Sequence, residues 1–137
     1  MYSNKKIGQF NILIVGTGGQ GQITLLQILA EAGLREGYDI KTSELHGLSQ
    51  RGGSVEVHLR LGKEIFSPLI SQQRADLIFG LEMQECLKAA YYANSKTIFL
   101  INKYIVPILL QKPLSEKEIL ENLRKCSKEI ILIPDIF

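Results

Sequence analysis

A dense run of polar residues at positions 44–54 contains the side chains best suited to recognition in this chain. It presents a carboxylate, an imidazole, hydroxyls, an amide and a guanidinium, and a pair of glycines closes it. This composition suits neither a buried core segment nor a simple linker, and it is typical of an exposed binding or docking loop. The residues with recognition chemistry are Glu44, His46, Ser49, Gln50, Arg51, Gly52 and Gly53.

The polar loop does not indicate a metal site or a catalytic nucleophile. His46 has no second histidine or cysteine at ligand spacing, and no serine or cysteine nearby forms a nucleophile–base pairing. Arg51 stands beside two glycines and suits a phosphate or a partner's carboxylate. An internal ion pair with Glu44 or Glu56 explains Arg51 nearly as well.

A second loop, residues 16–21, is rich in glycine and precedes a predicted helix. Gly16, Gly18 and Gly21 match the dinucleotide-binding pattern, in which backbone N–H groups and a helix N-terminus face a pyrophosphate. Gly19 and Gln20 place an extra glycine and a polar amide inside the turn, which weakens the nicotinamide interpretation. The alternative is that the glycines only permit a tight turn and close helix–strand packing.

The elements that must position these loops alternate between strands and helices. Apolar runs or alternation predict strands, and a single polar stripe of Gln27, Glu31 and Arg35 predicts a buried helix that Gly37 ends. The pattern favours an α/β fold: a three-layer α/β/α domain, 1–137, with a mostly parallel, mixed sheet and a Rossmann-like first strand–helix unit. The predicted strands are 10–15, 38–43, 54–61, 75–81, 97–101 and 130–133, with helices over 22–36, after residue 82 and after Ser115.

The strand over 54–61 alternates strictly between apolar and polar side chains. Its polar face carries Glu56, His58 and Arg60. A parallel strand covered on both sides would be a solid apolar run, so this strand is predicted to be antiparallel, near an edge, or facing a partner. Simple solvation of the polar face is the more common explanation, and a subunit contact is the alternative.

The carboxyl ends of the parallel strands should bring the functional features together. In an open α/β sheet, ligands gather at that edge. The glycine loop, Glu44 with its polar loop, Glu82 after a strand, and Asn102 with Lys103 are all expected there. Glu82 at a helix start is also explained by the helix dipole alone.

Composition excludes several functional classes. The chain has 137 residues, 45% of them hydrophobic, and a net charge of +2 without a basic block, so nucleic acid is not indicated as a partner. No apolar run approaches the roughly 20 residues needed to span a bilayer, so no membrane segment is predicted. Two cysteines, Cys86 and Cys126, are too few for a disulfide framework, a zinc site or an iron–sulfur cluster, and a cytoplasmic location fits best.

Taken in order, the motifs resemble one family. The glycine loop 16–21, the segment 43–55, Arg60-Leu61-Gly62, residues 67–70 and 75–77, and Glu82 with Glu85 look like the gamma-type, or beta-subunit, domain of 2-oxoacid:ferredoxin oxidoreductases. The signatures at 50–53 and 67–68 are most similar to the indolepyruvate ferredoxin oxidoreductase beta subunit. The resemblance covers nearly the whole chain.

This resemblance implies an accessory subunit with no catalytic residues or metal of its own. Family enzymes oxidatively decarboxylate a 2-oxoacid to an acyl-coenzyme A and pass electrons to ferredoxin. Thiamine diphosphate, magnesium and the [4Fe-4S] clusters lie on a large partner subunit. Residues 16–21 are then a possible phosphate or coenzyme A contact. The expected docking residues are the seven of the polar loop together with Glu56, His58, Arg60 and Glu82.

The chain departs from the resemblance at its C-terminus, where family members usually continue with a helical segment. An uncovered sheet face, marginal stability or oligomerisation is therefore expected. Two other functional classes stay open: an independent Rossmann-type nucleotide-binding protein, with Glu44 on a ribose hydroxyl, and a small-ligand sensor.

Overall fold

The computed structural model describes residues 8–46, 53–107, 112 and 114–134. These residues form one six-stranded sheet with three α-helices and a short 3-10 turn, Ala90–Tyr92. The strands are β1 Gln9–Thr17, β2 Asp39–His46, β3 Ser54–Gly62, β4 Leu77–Gly80, β5 Ile98–Asn102 and β6 Glu129–Ile133, and the helices are α1 Gln22–Arg35, α2 Met83–Ala89 and α3 Glu116–Arg124.

The sheet is mixed, with strand order β2-β3-β1-β4-β5-β6. β3 is antiparallel to both neighbours, β1 and β2, whereas β1, β4, β5 and β6 are parallel. Of the three alternatives left open for the alternating strand, the structure shows the antiparallel direction. Because β2 runs in the same direction as β1, five strands end at one edge, here called the carboxyl edge. The other side of the sheet is the amino edge.

One face of the sheet is packed against α2 and α3. Leu13 and Val15 of β1, Ile78 of β4 and Phe99 of β5 are fully or almost fully buried on this face. The helices contribute Met83, Cys86, Ile119 and Leu123 to the same core. α3 begins at Ser115, whose hydroxyl accepts the N–H of Glu118 at 3.1 Å, as its capping spacing predicted.

The other face is covered by α1 over β1, β2 and β3. Ile12, Ile14, Val57 and Leu59 meet Leu26 of α1 there. The α/β/α layering predicted from the sequence is confirmed, because α1 lies on one face and α2 with α3 on the other. β2 is longer than predicted and takes in Glu44 and His46.

The prediction that α1 is a buried helix is wrong. Ile28 is 61% exposed, and Leu34 is also exposed. α1 packs through one stripe only, and within the described ranges nothing covers its outer surface. On the same side of the sheet, Ile98 of β5 and Ile131 of β6 are 38% and 51% exposed. The expected uncovered apolar surface is therefore present in the part of the chain that the structure describes.

Candidate functional site at the carboxyl edge

The glycine loop follows β1 and is closed by its own glutamine side chains. The N–H of Thr17 donates to Oε1 of Gln20 at 2.8 Å, and Nε2 of Gln22 donates to the carbonyl of Thr17 at 2.7 Å. A Cβ on Gly16 would lie 2.6 Å from each of these two amide groups. A side chain at position 16 would therefore displace these two amide groups from their hydrogen bonds to Thr17.

Gly19 and Gly21 have a different role in the same loop. Their φ angles are 89° and 91°, in the left-handed region that favours glycine, and a Cβ on either would meet open space. Gly21 also precedes α1 without any side-chain cap. The open part of the loop is thus its second half, where the first N–H groups of α1 lie.

The two loops meet at the carboxyl edge. The N–H of Gly18 donates to the carbonyl of Gly53 at 3.0 Å, and Thr17 stands opposite Ser54 in the β1–β3 register. The sequence-based expectation that both loops lie along one edge is confirmed for their described ends. The positions Ser49, Gln50, Arg51 and Gly52 lie outside the described residues.

Glu44 and His46 lie on the α1 side of the sheet. They stand opposite Val57 and Val55, whose side chains belong to the α1-side core, and directly opposed residues share a face. Both side chains are exposed, with Nε2 of His46 3.6 Å from Oε2 of Glu44. Glu56, His58 and Arg60 lie on the opposite face, so the structure divides the expected docking residues between two sides of the sheet.

The face that carries Glu56 and His58 is not simply solvated, contrary to the more common explanation. His58 is 1% exposed; its Nδ1 accepts the N–H of Ile70 at 3.0 Å. The proton of the neutral ring is thereby assigned to Nε2, which lies 3.1 Å from Oε2 of Glu56. His58 is therefore packed inside the chain, because the loop before β4 covers it, and it is not itself an exposed docking group.

Glu56 is held ionised by this network. The hydrogen bond from His58 lowers its pKa, against the opposing effect of burial. The hydroxyl of Tyr92 donates to the same carboxylate oxygen at 3.2 Å, and the two rings pack edge to face with centroids 5.1 Å apart. Burial, with Glu56 nearby, raises the pKa of Tyr92 to about 12. Glu56 thus offers a fixed, partly exposed negative charge.

Lys88 of α2 extends this polar cluster to the carboxyl edge. Its Nζ lies 2.7 Å from Oγ of Ser54 and 3.1 Å from Oε1 of Glu85. Sequence reasoning did not select Lys88 or Tyr92. The spacing of Glu85 and Lys88 on one helix was a signal for their ion pair. The contacts of Lys88 with Ser54 and of Tyr92 with Glu56, in contrast, join residues that are 34 and 36 positions apart. No local sequence pattern predicts such contacts.

Glu82 also lies inside the chain, at 1% exposure. Its Oε1 accepts the N–H of Glu85 at 2.9 Å, which caps α2, and its Oε2 accepts the N–H of Val106 at 2.8 Å. Burial raises the pKa of this carboxyl although both hydrogen bonds oppose the shift. Glu82 joins α2 to the segment after β5 and presents no exposed docking group.

Arg60 is separated from the other predicted site residues. It lies six residues beyond Ser54 in β3, about 20 Å along an extended strand. Its Nε donates to Oδ1 of Asn11 at 3.0 Å, and one terminal nitrogen donates to the carbonyl of Ser67 at 2.8 Å. Arg60 therefore belongs to the amino edge, and the structure does not bring it to the polar loop.

Cys86 lies beside the capping residue of its own helix, with its Sγ 3.5 Å from the carbonyl oxygen of Glu82. Cys86 is a buried residue of α2 and Cys126 is partly buried, and neither forms a disulfide. Burial raises the pKa of the Cys86 thiol. Among the described residues, no group of three histidine, cysteine or acidic side chains is placed to hold a metal ion. No helix in the described ranges is long and apolar enough to cross a membrane.

Comparison with known proteins identifies a family that covers most of this chain. The family described as pyruvate ferredoxin/flavodoxin oxidoreductase matches residues 11–134. The chain belongs to this family. The resemblance inferred from the glycine loop and the polar loop is thereby confirmed, and both loops fall within the part that matches this oxidoreductase family.

Curated relatives in the oxidoreductase family are subunits. The chain is 39% identical over 128 residues to indolepyruvate oxidoreductase subunit IorB of Archaeoglobus fulgidus, covering 90% of this chain and 63% of the relative. It is 33% identical to the IorB subunit of Thermococcus kodakarensis, covering 88% and 60%. The common subunit gamma of the Pyrococcus furiosus pyruvate/ketoisovalerate oxidoreductases is 28% identical, with 86% and 60% covered. The chain spans about three fifths of the length of these relatives.

Solved structures share the fold of this family member. Pyruvate oxidoreductase subunit PORC of Thermotoga maritima superposes with a TM-score of 0.63 at 18% identity, covering 93% of this chain and 62% of that one. A 2-oxoglutarate:ferredoxin oxidoreductase from Magnetococcus marinus, with 2-oxoglutarate, coenzyme A and succinyl-CoA bound, gives 0.64 at 17% identity, covering 93% and 20%. At these low identities, the structural similarity shows that this chain shares their fold.

Proposed function

We propose that the chain is an accessory subunit of an indolepyruvate-type 2-oxoacid:ferredoxin oxidoreductase in the cytoplasm. The complete enzyme oxidatively decarboxylates a 2-oxoacid to an acyl-coenzyme A and transfers the electrons to ferredoxin. The observation that carries this proposal is the 39% identity to an IorB subunit over 90% of the chain. The proposal concerns a subunit of an enzyme, and the isolated chain is expected to be inactive.

The partner in this proposal is a large subunit that holds thiamine diphosphate, magnesium and the [4Fe-4S] clusters. Two cysteines in the whole chain cannot supply the four thiolates of one cluster. Cys86 is, moreover, a buried thiol whose raised pKa disfavours the thiolate that binds metal. These features support a division of labour in which the cofactors lie on the partner.

The proposed docking surface is the carboxyl edge, where the polar loop joins β2 and β3. Glu44 and His46 are exposed at one end of the loop, and Gly53 is bonded to the glycine loop at the other. Glu56 adds a carboxylate that His58 keeps ionised. In this proposal Ser49, Gln50, Arg51 and Gly52 complete the contact, His58 and Glu82 support it from inside, and Arg60 is left out.

Arg51→Ala tests the docking role. Loss of a guanidinium that pairs with a partner carboxylate should weaken co-purification with the large subunit by about tenfold or more. Arg124→Ala is the matched control, since Arg124 is exposed at the end of α3, away from the carboxyl edge. Unchanged co-purification and unchanged oxidoreductase activity of the Arg51 variant would show that the docking surface lies elsewhere.

Nucleotide binding by the isolated chain is the competing function. The amide groups of Gln20 and Gln22 fill the space beside Gly16, which corresponds to the turn-forming first glycine of a dinucleotide loop. A Cβ on Gly19 or Gly21 would meet open space, which leaves room for a phosphate or coenzyme A contact in the second half of the loop. Calorimetric titration with NAD, NADP, ATP and coenzyme A separates the two. Tight dinucleotide binding by the chain alone would favour the independent nucleotide-binding protein over the subunit.

A further inference from the structure

A polar cleft opens at the amino edge of the sheet, on the side opposite the two loops. Its volume is about 390 Å³, within the range of small-molecule sites. The start of β1, the end of β3 and the segments before β4 and β5 form its walls. The residues that line it include Asn11, Arg60, Ser71, Arg74, Asp76 and Asn94.

Two guanidinium groups line this cleft without being neutralised. Neither Arg60 nor Arg74 forms an ion pair with a carboxylate among the described residues, although Asp76 lines the same cleft. Asp76 instead accepts the N–H of Asn11 at 2.8 Å. The residues that line the cleft therefore carry two positive charges and one negative charge, and the carboxylate already accepts a hydrogen bond.

Arg60 is held in place by hydrogen bonds to two other parts of the chain. Asn11 is 4% exposed and accepts from Nε of Arg60, while the carbonyl of Ser67 accepts from one terminal nitrogen. The second terminal nitrogen has no partner within the described part of the chain. A guanidinium fixed in this way loses little conformational freedom when an anion takes up the remaining donors.

Arg74 faces the cleft from a turn that is itself constrained. Its neighbour Gln73 has a φ of 60°, the only left-handed non-glycine residue described. The carbonyl of Gln73 accepts from Nδ2 of Asn94 at 2.8 Å, and the carbonyl of Arg74 accepts from Nδ2 of Asn11 at 2.8 Å. These bonds fix the backbone, whereas the guanidinium of Arg74 makes no hydrogen bond within the described ranges.

From these observations we propose that the cleft binds the carboxylate or phosphate group of a small polar anion. In this proposal the guanidinium groups of Arg60 and Arg74 donate hydrogen bonds to the anion, and the hydroxyl of Ser71 is a further donor. The amides of Asn11 and Asn94 are already used in bonds to the chain, so they shape the cleft and leave recognition to the guanidiniums. The polar lining excludes an apolar ligand.

Calorimetric titration of the purified chain with succinate, and separately with inorganic phosphate, tests the proposal. A saturable signal with succinate alone identifies a carboxylate ligand, and one with phosphate alone identifies a phosphate ligand. Both are consistent with the cleft if Arg74→Ala weakens binding by about tenfold. Arg74→Lys keeps the charge but loses the bidentate geometry of the guanidinium. Its affinity for the anion should therefore lie between those of the wild type and of Arg74→Ala.

The matched control is Arg124→Ala, which removes an exposed arginine of α3 that does not line the cleft and should bind the anion like the wild type. Asp76→Asn removes the one negative charge of the cleft while retaining an oxygen for the N–H of Asn11, and it should bind the anion more tightly. An equal loss of binding in the Arg74 and Arg124 variants, or no saturable binding of either anion at millimolar concentration, would overturn the proposal.

Discussion

The two faces of the sheet are supplied by the same strands but are packed to different degrees. The face toward α2 and α3 buries Phe99, Ile101, Ile119 and Leu123 completely. The face toward α1 leaves Ile98 and Ile131 substantially exposed beyond the three strands that α1 covers. Stability is therefore concentrated on the α2/α3 face, and the α1 face is where additional protein surface has room to pack.

The two histidines of the chain differ in burial in the same way as the two faces of the sheet. His58 lies on the α2/α3 face, buried and bonded through both ring nitrogens. His46 lies on the α1 face, exposed beside Glu44. One imidazole therefore stabilises the fold, and the other is exposed to solvent.

The largest expected effect compares neighbouring residues of β5. Phe99→Ala removes a fully buried ring and should lower the free energy of unfolding by about 3–5 kcal/mol. Ile98→Ala, on the opposite face and 38% exposed, should cost about 1 kcal/mol or less. Urea denaturation followed by circular dichroism measures both. Equal losses in the free energy of unfolding would mean that the α1 face and the α2/α3 face are buried to the same degree.

The second largest expected difference in the free energy of unfolding is between alanine variants of the two histidines. His58→Ala leaves the N–H of Ile70 and the Glu56 carboxylate without their partner, and should lower the free energy of unfolding by roughly 2–3 kcal/mol. His46→Ala removes only an exposed contact and should change it by about 0.5 kcal/mol or less. If His46→Ala proves as costly as His58→Ala in the same denaturation experiment, the assignment of roles to the two residues is wrong.

The smallest expected effect is a pair of opposite pH dependences. The pKa of Glu82 is raised in the folded chain, so the ionised form opposes folding, and stability from this site is lost as pH rises above the ordinary value of 4.5. The pKa of Glu56 is lowered, so its contribution is present above 4.5 and is lost as pH falls. Relative to wild type, Glu82→Gln should therefore gain stability with rising pH and Glu56→Gln should lose it.

Unfolding titrations at several pH values between 3 and 7 measure this comparison, since neither glutamine titrates. A shared direction for the two variants would contradict the assigned environments of the two carboxyl groups.

Much of the fold could be predicted from local pattern. The apolar run of β1, the strict alternation of β3 and the capping spacing at Ser115 each reflect forces that act within a few residues. The burial of α1 could not be predicted in this way. Apolar residues around a helix indicate only that burying its surface would be favourable. Whether another element supplies that cover depends on the rest of the chain and its partners.

The candidate site shows the same limit. Strand direction placed the glycine loop beside Gly53, as expected, because parallel strands end at one edge. The prediction that Glu56, His58 and Arg60 form one docking surface is untested, but the structure places two of these side chains unexpectedly. His58 is covered by the segment that donates from Ile70, and Arg60 lies far along the strand beside Asn11. Alternation specifies a shared face but says nothing about what packs on it or how far apart its members lie.

The sequence by itself determined the family, the order of the strands and helices, and the edge at which the two loops meet, since periodicity and glycine spacing act locally. Only the tertiary structure decided which polar side chains are buried partners and which are exposed. Pairs such as His58 with Ile70, or Arg60 with Asn11, form when distant segments pack together, and their hydrogen bonds have no local signature in the chain.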